Sequence, residues 1–282
     1  MCQICGCGPS DKRIDGRGAG PLAHHQHDQA HDRNHPLHQN LHFGRDIAKV
    51  SVPGMNQTRL VQIEREILAK NDFHADGVRR KLAMRSILAL NLIASPGAGK
   101  TTLLVETLRR LGSAFPTWVI EGDQETSNDA ERIRATGTEA VQINTGKGCH
   151  LDADMIDQAL SGLALEAGGV LFIENVGNLA CPAGFDLGEA HKVVILSVTE
   201  GDDKPVKYPE AFAVADLLLI SKADLAPHCD FDIAACIARA RDINPDIEAI
   251  VLSARDGQGM ADWLHWIGHA RQHAAGEHHH HA

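Results

Sequence analysis

The chain has 282 residues, of which 43% are hydrophobic and 23% are charged, so one domain of ordinary size can bury a full core with residues to spare. Its seven cysteines are too sparse for a small disulfide-stapled protein. The net charge of -10 repels phosphate backbones and argues against a nucleic-acid partner. No apolar run approaches the roughly 18 residues of a membrane span. The first residues lack a secretory signal, so we expect a protein of the reducing cytoplasm.

The composition changes along the chain and predicts four parts. Residues 1–45 are rich in Gly, His, Asp, Gln and Asn and have too few large apolar groups to order a backbone, so we predict a flexible metal-binding tail. Apolar spacing in residues 46–85 predicts a helical extension, with a second helix after Asp72, that packs on the next domain. Residues 86–273 form the main domain, and residues 274–282 are a disordered tail or the remnant of an expression tag.

The main domain alternates short apolar runs with helical patterns. The predicted strands are SILALNLIA, TWVIEGD, EAVQIN, GGVLFIEN, KVVILSV, ADLLLIS and IEAIVLS. Such continuous apolar runs are typical of strands that are buried on both faces. The alternation therefore predicts an α/β fold with a mainly parallel sheet and helices on both faces. Ligands of such sheets bind at the carboxyl ends of the strands.

A phosphate-binding loop lies between the first predicted strand and the helix that follows it. The motif ASPGAGKTT has glycines where backbone N–H groups must face phosphates, although Ala94 replaces the first glycine of the usual pattern. Lys100 supplies a charge for the β- and γ-phosphates, and Thr101 is a ligand for Mg²⁺. We predict this phosphate loop to bind a nucleotide through Gly97, Ala98, Gly99, Lys100, Thr101 and Thr102.

Two acidic residues end later strands, where a phosphate-loop enzyme needs its metal-binding and water-positioning groups. Asp123 ends WVIEGD and Glu174 ends FIE, and Gly177 follows closely enough to place its N–H against a γ-phosphate. We predict that Thr101, Asp123 and Glu174 hold Mg²⁺. Lys100, Asp123 and Glu174 form the predicted catalytic set.

The base of the nucleotide is recognised after another apolar strand, in the segment LLLISKADL. Asp224 can accept hydrogen bonds from N1–H and N2–H₂ of guanine while the stem of Lys222 stacks along the ring, and adenine lacks that donor pair. The motif therefore favours GTP over ATP. Ser221 stands where such a motif usually has Asn, which predicts weaker or less selective nucleotide binding. Ser253 and Ala254 follow the next strand and complete the predicted base pocket through backbone N–H groups.

Metal-binding residues form two groups outside the predicted nucleotide pocket, both near the amino terminus. Cys2, Cys5 and Cys7 form C-x-x-C-G-C, in which glycine lets three thiolates converge on one ion such as Zn²⁺, Ni²⁺ or Cu⁺. Seven histidines lie within residues 24–42, on a segment that suits storage or buffering of metal. The run 278–281 is interpreted as an expression tag and carries no functional argument.

A third metal-binding group lies inside the main domain. It consists of Cys149 and His150 in NTGKGCHLDADM and of Cys181 in ENVGNLACPAG. Cys181 stands seven residues after Glu174, so an ion bound there would be tied to the loop that senses the γ-phosphate. The spacing predicts a mechanism that couples GTP to metal binding.

These motifs together resemble the HypB family, the GTPases that insert nickel into [NiFe]-hydrogenase. The resemblance covers nearly the whole chain and rests on MCQICGCG, the His-rich segment, ASPGAGKTT, EGDQETSNDAERI, INTGKGCHLDADMI, ENVGNLACPAGFDLGE, SVTEGDDKPVKYP and SKADL. It implies that residues 86–273 are a SIMIBI-class GTPase domain, which hydrolyses GTP to GDP and phosphate and forms a homodimer when GTP binds.

The resemblance also implies two nickel sites and two protein partners. Cys149, His150 and Cys181 would bind Ni²⁺ or Zn²⁺ at or near the dimer interface. A separate site of high affinity for nickel would be formed by Cys2, Cys5 and Cys7. The implied partners are a metallochaperone of the HypA type and the precursor of the hydrogenase large subunit.

Three other functions fit parts of the pattern. A UreG-like urease accessory GTPase shares the phosphate loop, but its metal motif is Cys-Pro-His and it lacks the amino-terminal C-x-x-C-G-C. A nickel storage protein would use the histidines and leave the nucleotide domain unlinked. A small-molecule kinase would prefer ATP and release a phosphorylated product.

Overall fold

The computed structural model describes residues 57–123, 128–146 and 148–276. The chain divides into two compact units, Met1–Glu66 and Ile67–Ala282. The predicted tail, including its cysteine and histidine groups, lies outside the described residues, and so does the histidine run near the carboxyl terminus. Of the first unit, only helical residues from Gln57 onward are described.

The second unit is built on one seven-stranded sheet with the order β3-β2-β4-β1-β5-β6-β7. Every strand pair in the described part of the sheet is parallel, which confirms the α/β prediction. The central strand β1 is buried along its whole length, as a strand covered on both faces must be. The strands are β1 Leu88–Ala94, β2 Thr117–Asp123, β3 Glu139–Asn144, β4 Val170–Glu174, β5 His191–Ser197, β6 Leu217–Ser221 and β7 Glu248–Val251.

Helices cover both faces of the sheet and alternate with the strands along the chain, except that only a 3₁₀ turn separates β4 from β5 and that two helices follow β5. They are α1 Gln57–Ala83, α2 Lys100–Leu111, α3 Asn128–Arg134, α4 Ala153–Leu160, α5 Lys204–Lys207, α6 Pro209–Ala213, α7 Ile233–Ile243 and α8 Met260–Gly276. Short 3₁₀ turns occupy Pro182–Gly184 and Ala223–His228. None of the described helices is both long and apolar enough to cross a bilayer.

The prediction of a second helix after Asp72 is wrong, because α1 runs through this residue without a break. The pair Asn71-Asp72 has the polar character of a helix cap. In the structure Asn71 and Ala75 both turn inward and are buried, so tertiary packing overrides the local signal.

The core has two sides that follow the alternation of side chains along each strand. Leu88, Leu90 and Leu92 of β1 pack in one cluster with residues of α2 and α8. Ala89, between them, faces the opposite side and packs with residues of α1 and α4. The sheet is therefore held from both faces, and its carboxyl edge stays open for loops.

Asn71 joins α1 to two loops of the domain. Its side chain is 6% exposed. Its Nδ2 donates to the carbonyl oxygen of Asp186 over 2.7 Å, and its Oδ1 accepts from the backbone N–H of Ala153 over 2.9 Å. A guanidinium on the same helix, that of Arg79, donates to the Asp186 carboxylate. One amide thus satisfies two backbone groups that would otherwise be buried without partners.

Replacing Asn71 by Ala should lower the free energy of unfolding by about 1–3 kcal/mol, because it leaves a buried N–H and a buried carbonyl without partners. Urea unfolding followed by circular dichroism measures this loss. Asp72→Ala, at an exposed neighbouring position of the same helix, is the matched control and should change little. Equal stability of the two variants would contradict the bridging role of Asn71.

Candidate nucleotide and metal sites

The phosphate loop makes a tight turn between β1 and α2. Gly97 and Gly99 have φ angles of 78° and 93°, in the left-handed region that glycine adopts without strain. The first turn of α2 follows directly, so its unpaired N–H groups are presented where an anion can bind. The loop borders a cavity of about 560 Å³ at the carboxyl edge of the sheet, lined there by Gly97, Gly99, Lys100, Thr101 and Thr102.

The structure brings the predicted catalytic residues together around this cavity. Lys100, Asp123 and Glu174 all line it, and so does Gly177. Thr101 Oγ1 donates to Glu174 Oε1 over 2.7 Å, so two of the predicted Mg²⁺ ligands are in direct contact. Gly177 approaches the phosphate loop so closely that a side chain there would meet Pro96 at 3.2 Å.

A second buried carboxylate, that of Glu121, lies beside Glu174. The two residues are register partners in the parallel pair of β2 and β4, so their side chains leave the sheet on the same face. Glu121 is 2% exposed and Glu174 is 3% exposed, and Oε2 of each is buried without a hydrogen-bond partner among the described residues. Sequence reasoning missed Glu121, although an acidic residue inside the apolar run TWVIEGD was a signal for it.

Burial of this carboxylate pair favours the protonated form of both side chains. Burial, and then the charge of Glu174, raises the pKa of Glu121 to about 8. Burial raises the pKa of Glu174 to about 7, against the opposing effect of Lys100 and of the Thr101 hydrogen bond. Burial lowers the pKa of Lys100, which the carboxylates oppose. One lysine is therefore too little positive charge to keep both glutamates ionised at this site.

Mg²⁺ fits this donor set. The ion prefers oxygen ligands and is usually bound by one or two carboxylates together with substrate phosphates and water. Buried carboxylate oxygens without donors, next to a threonine hydroxyl and a phosphate loop, offer that chemistry. Thr101, Asp123 and Glu174 are the residues of this cavity that would hold the ion.

Two further cavity residues come from α3 and were not predicted. Arg132 Nη2 donates to Thr102 Oγ1 over 3.1 Å, and its Nη1 is 3.0 Å from the carboxylate of Asp129. Both side chains line the cavity. The charges in SNDAERI follow shortly after the strand that carries Asp123, which was the only hint in the sequence. Arg132 adds a cation at the mouth of the phosphate site.

The predicted base-recognition residues lie next to the phosphate loop, and Lys222 lines the same cavity. Lys222, with a φ of 58°, places Nζ 2.7 Å from the carbonyl oxygen of Gly97, so its stem crosses the loop. Ser253 Oγ donates to Asp224 Oδ1 over 2.8 Å, while the backbone N–H of Ser253 donates to the carbonyl of Gln258. Ser253 therefore acts on this site through its hydroxyl. The assignment of Ser253 and Ala254 to the base pocket stays a prediction.

Ser221 connects the base-recognition segment to the phosphate loop. Its Oγ donates to the carbonyl oxygen of Ala98 over 2.8 Å. Ala98 is buried and lies under the loop rather than along the cavity. The serine hydroxyl thus holds the loop to the end of β6, in a contact that a shorter side chain could not make.

The three predicted ligands of the internal metal site come together in the structure. One potential ligand atom from each of Cys149, His150 and Cys181 lies within 4.8 Å of the others, and all three residues are half-buried. Cys149 Sγ is 3.6 Å from His150 Nδ1. The imidazole stacks on Phe185 with ring centroids 3.8 Å apart, and burial lowers the pKa of His150, which favours the neutral form that binds metal.

Comparison with known proteins identifies the family of the chain. The family model described as "CobW/HypB/UreG, nucleotide-binding domain" matches residues 88–251. The hydrogenase maturation factor HypB of Azotobacter vinelandii is 54% identical over 281 residues, covering 96% of this chain and 93% of that protein. The chain belongs to the HypB family.

Solved structures of HypB proteins share the fold. HypB from Helicobacter pylori, crystallised in complex with nickel, is 39% identical with a TM-score of 0.69, and the match covers 72% of this chain and 96% of that one. HypB from Archaeoglobus fulgidus is 40% identical with a TM-score of 0.68, and the match covers 72% of this chain and 100% of that one. The HypB fold is therefore that of the sheet and helices described above.

Ser221→Ala should weaken nucleotide binding, because it leaves the buried Ala98 carbonyl unpaired and frees the phosphate loop from β6. We expect the Kd for GDP to rise roughly 2- to 12-fold, the equivalent of about 0.5–1.5 kcal/mol for one hydrogen bond. Titration with a fluorescent GDP analogue measures the change. Ser113→Ala, at an exposed site after α2, is the control. An unchanged Kd for Ser221→Ala would show that the contact does not hold the loop.

Proposed function

We propose that this chain is a GTPase that binds nickel and couples GTP hydrolysis to nickel delivery during the maturation of [NiFe]-hydrogenase. Membership of the HypB family supports the hydrogenase assignment, and a nickel complex exists for the relative from Helicobacter pylori. The observation that carries the proposal is the convergence of Cys149, His150 and Cys181 into one cluster. Two thiolates and one imidazole suit both Ni²⁺ and Zn²⁺.

The cavity residues have distinct roles in this proposed hydrolysis. The backbone N–H groups of the phosphate loop bind the β- and γ-phosphates, and the Lys100 ammonium neutralises charge that develops on the γ-phosphate. Glu174 orients the attacking water, directly or through a second water, so that GTP and water yield GDP and phosphate. When bound, Mg²⁺ supplies electrostatic stabilisation of the same charge. Asp224 and Lys222 select guanine.

The link between hydrolysis and metal lies in the segment after β4. Asn178 Oδ1 accepts from the backbone N–H groups of Ala180, over 2.8 Å, and Cys181, over 3.5 Å. Gly177, directly before it, contacts the phosphate loop. We infer that release of the γ-phosphate relaxes this segment, moves Cys181 and lowers the affinity for nickel.

The partners belong to the same proposal. A GTP-dependent homodimer would place the half-buried metal ligands of two copies near each other. A HypA-type metallochaperone and the precursor of the hydrogenase large subunit are the proposed donor or acceptor of the nickel ion. Cys2, Cys5 and Cys7 would bind a second nickel ion in the part of the chain outside the described residues.

Lys100→Ala should reduce the rate of GTP hydrolysis by at least about 100-fold, since one preorganised charge or donor at a transition state is worth that much. Release of phosphate from GTP measures the rate. Nickel binding to the amino-terminal cysteines should be unchanged, because the substitution is remote from them in sequence. Lys70→Ala, on the exposed side of α1, is the control. Normal turnover by Lys100→Ala would remove this assignment.

The coupling itself is tested in the full chain with Cys2, Cys5 and Cys7 replaced by serine. Thiolate-to-nickel absorption then reports on Cys149 and Cys181, because sites made only of histidine do not produce this band. We expect the Kd for nickel to differ about 5- to 150-fold between GDP and a non-hydrolysable GTP analogue, the range typical of coupled sites.

Two results decide the interpretation of that titration. Cys181→Ser in the same protein should remove most of the absorption in both nucleotide states, which assigns the band to the internal site. Equal nickel affinity with GDP and with the GTP analogue would contradict coupling and would favour a nickel storage protein with an unlinked nucleotide domain.

A further inference from the structure

Asn175 occupies the position directly after Glu174, at the carboxyl end of β4. It lines the phosphate cavity together with Val176 and Gly177. Its side chain is nevertheless 1% exposed, because the amide turns away from the cavity into the protein. Such a residue has its backbone at the nucleotide site and its side chain in the interior.

The hydrogen bonds of this buried amide lead toward the metal ligands. Asn175 Oδ1 accepts from the backbone N–H of Leu151 over 3.1 Å and from that of Val176 over 3.0 Å. Asn175 Nδ2 donates to Asn91 Oδ1 over 3.2 Å. A buried polar network is costly to leave half-satisfied, so these partners must move together.

Leu151 is the residue that follows the metal ligand His150. Its side chain is fully buried and fills the space left by Gly122, where a Cβ would lie 2.8 Å from it. The backbone at Leu151 is therefore held in two ways. Its side chain is packed in the core, and its N–H donates to the side-chain amide of Asn175. A displacement of that amide would be transmitted to His150.

The same hydrogen-bond network also reaches Phe185, whose ring packs on the imidazole of His150. Asn91 Nδ2 donates to Glu189 Oε1 over 3.0 Å, and Lys192 donates both to Glu189 and, over 3.2 Å, to the carbonyl oxygen of Phe185. The ring of Phe185 stacks on His150. One chain of hydrogen bonds thus contacts the backbone after the metal ligand and the residue that packs on its ring.

The backbone of Asn175, which faces the phosphate cavity, is also held by contacts. Its backbone N–H donates to the carbonyl of Leu92 in β1 over 3.1 Å. Two residues further along, Gly177 lies against Pro96 of the phosphate loop. A γ-phosphate that binds the N–H groups of this segment therefore acts on the residues immediately next to Asn175.

We propose that Asn175 is the positioning residue through which the occupancy of the phosphate cavity sets the geometry of Cys149 and His150. The inference rests on the proposed function, because it names a residue that carries the coupling assigned there. Asn178 holds the third ligand, Cys181, from the same segment. Residues 174–178 thus position all three ligands. Asn178 positions Cys181, and Asn175 positions Cys149 and His150, which are distant from it in sequence. An amide is needed at this position because the side chain donates on one atom and accepts on the other.

The test measures coupling rather than affinity. The parent protein is the full chain with Cys2→Ser, Cys5→Ser and Cys7→Ser. The Kd for nickel is determined for this parent and for Asn175→Ala in the same background, each with GDP and with a non-hydrolysable GTP analogue. We expect the ratio of the two Kd values to fall from about 5- to 150-fold in the parent to within about twofold of unity in Asn175→Ala. Binding of GDP alone and of nickel alone should persist.

Asn244→Ala is the matched control. Asn244 has a half-buried side chain that donates to two backbone carbonyls, those of Phe212 and Ala215, at the end of α7 and away from the cavity. Asn244→Ala therefore also loses two hydrogen bonds between an asparagine side chain and the backbone, and it should keep the parental coupling ratio because these bonds lie outside residues 174–178. A merely structural effect of Asn175 would weaken GDP and nickel binding without changing the ratio.

The outcomes of these titrations separate the two proposals. A parent protein without coupling would overturn the proposed function and this inference with it. A coupled parent and an equally coupled Asn175→Ala variant would overturn only the role of Asn175.

If Asn175→Ala does not fold, hydrogen exchange of the metal-free parent tests the role of Asn175 instead. Exchange of the amides in residues 149–152 should then differ between GDP and the GTP analogue, and identical exchange would overturn the inference.

Discussion

The parallel pairing of β2 with β4 is the constraint on which the nucleotide site depends. It places Glu121 and Glu174 side by side at the carboxyl edge of the sheet, both buried and each with one oxygen that lacks a donor among the described residues. Two carboxylates in such an environment cannot both ionise without a compensating cation, and Lys100 alone is insufficient. A divalent cation held beside the two glutamates would supply the missing positive charge. The glutamate pair therefore has the chemistry of a divalent-cation site at the edge of the phosphate cavity.

The segment that leaves β4 extends this dependence to the second site. Within five residues it contains a carboxylate bonded to Thr101, an amide bonded to Leu151, a glycine against Pro96 and an asparagine bonded to the backbone of Cys181. A segment of five residues with so many partners cannot easily move at Glu174 without also moving at Asn178. A displacement of this segment would affect both its contact with Pro96 and its contact with the backbone of Cys181, because packed interiors transmit displacement rather than absorb it.

Local patterns in the sequence were enough to predict the parallel α/β fold, the phosphate loop and the order of the strands along the chain. The sequence also named Cys149, His150 and Cys181, and the structure brings them together. Glu121 and Asn175 escaped because their importance arises from register and burial, which depend on pairing between distant segments. The second helix after Asp72 was wrong for the same reason, since the inward turn of Asn71 is decided by its partners Asp186 and Ala153. The acidic residue within TWVIEGD was a local signal for Glu121, but its pairing with Glu174 and the partners of Asn71 and Asn175 are long-range contacts that a local pattern does not contain.

The form of the metal site also bears on what it does. Structural zinc sites are closed by four protein ligands, whereas sites that exchange a ligand keep a position open. Among the described residues the cluster offers three ligands, and all of them are half-buried rather than enclosed. His150 stacks on Phe185, while Cys181 lies at the start of a short 3₁₀ turn and its backbone N–H donates to Asn178. A half-buried site with three protein ligands leaves a coordination position open, through which an ion can be bound and released. Such a half-buried cluster of three ligands fits the nickel delivery proposed above better than a permanent structural metal site.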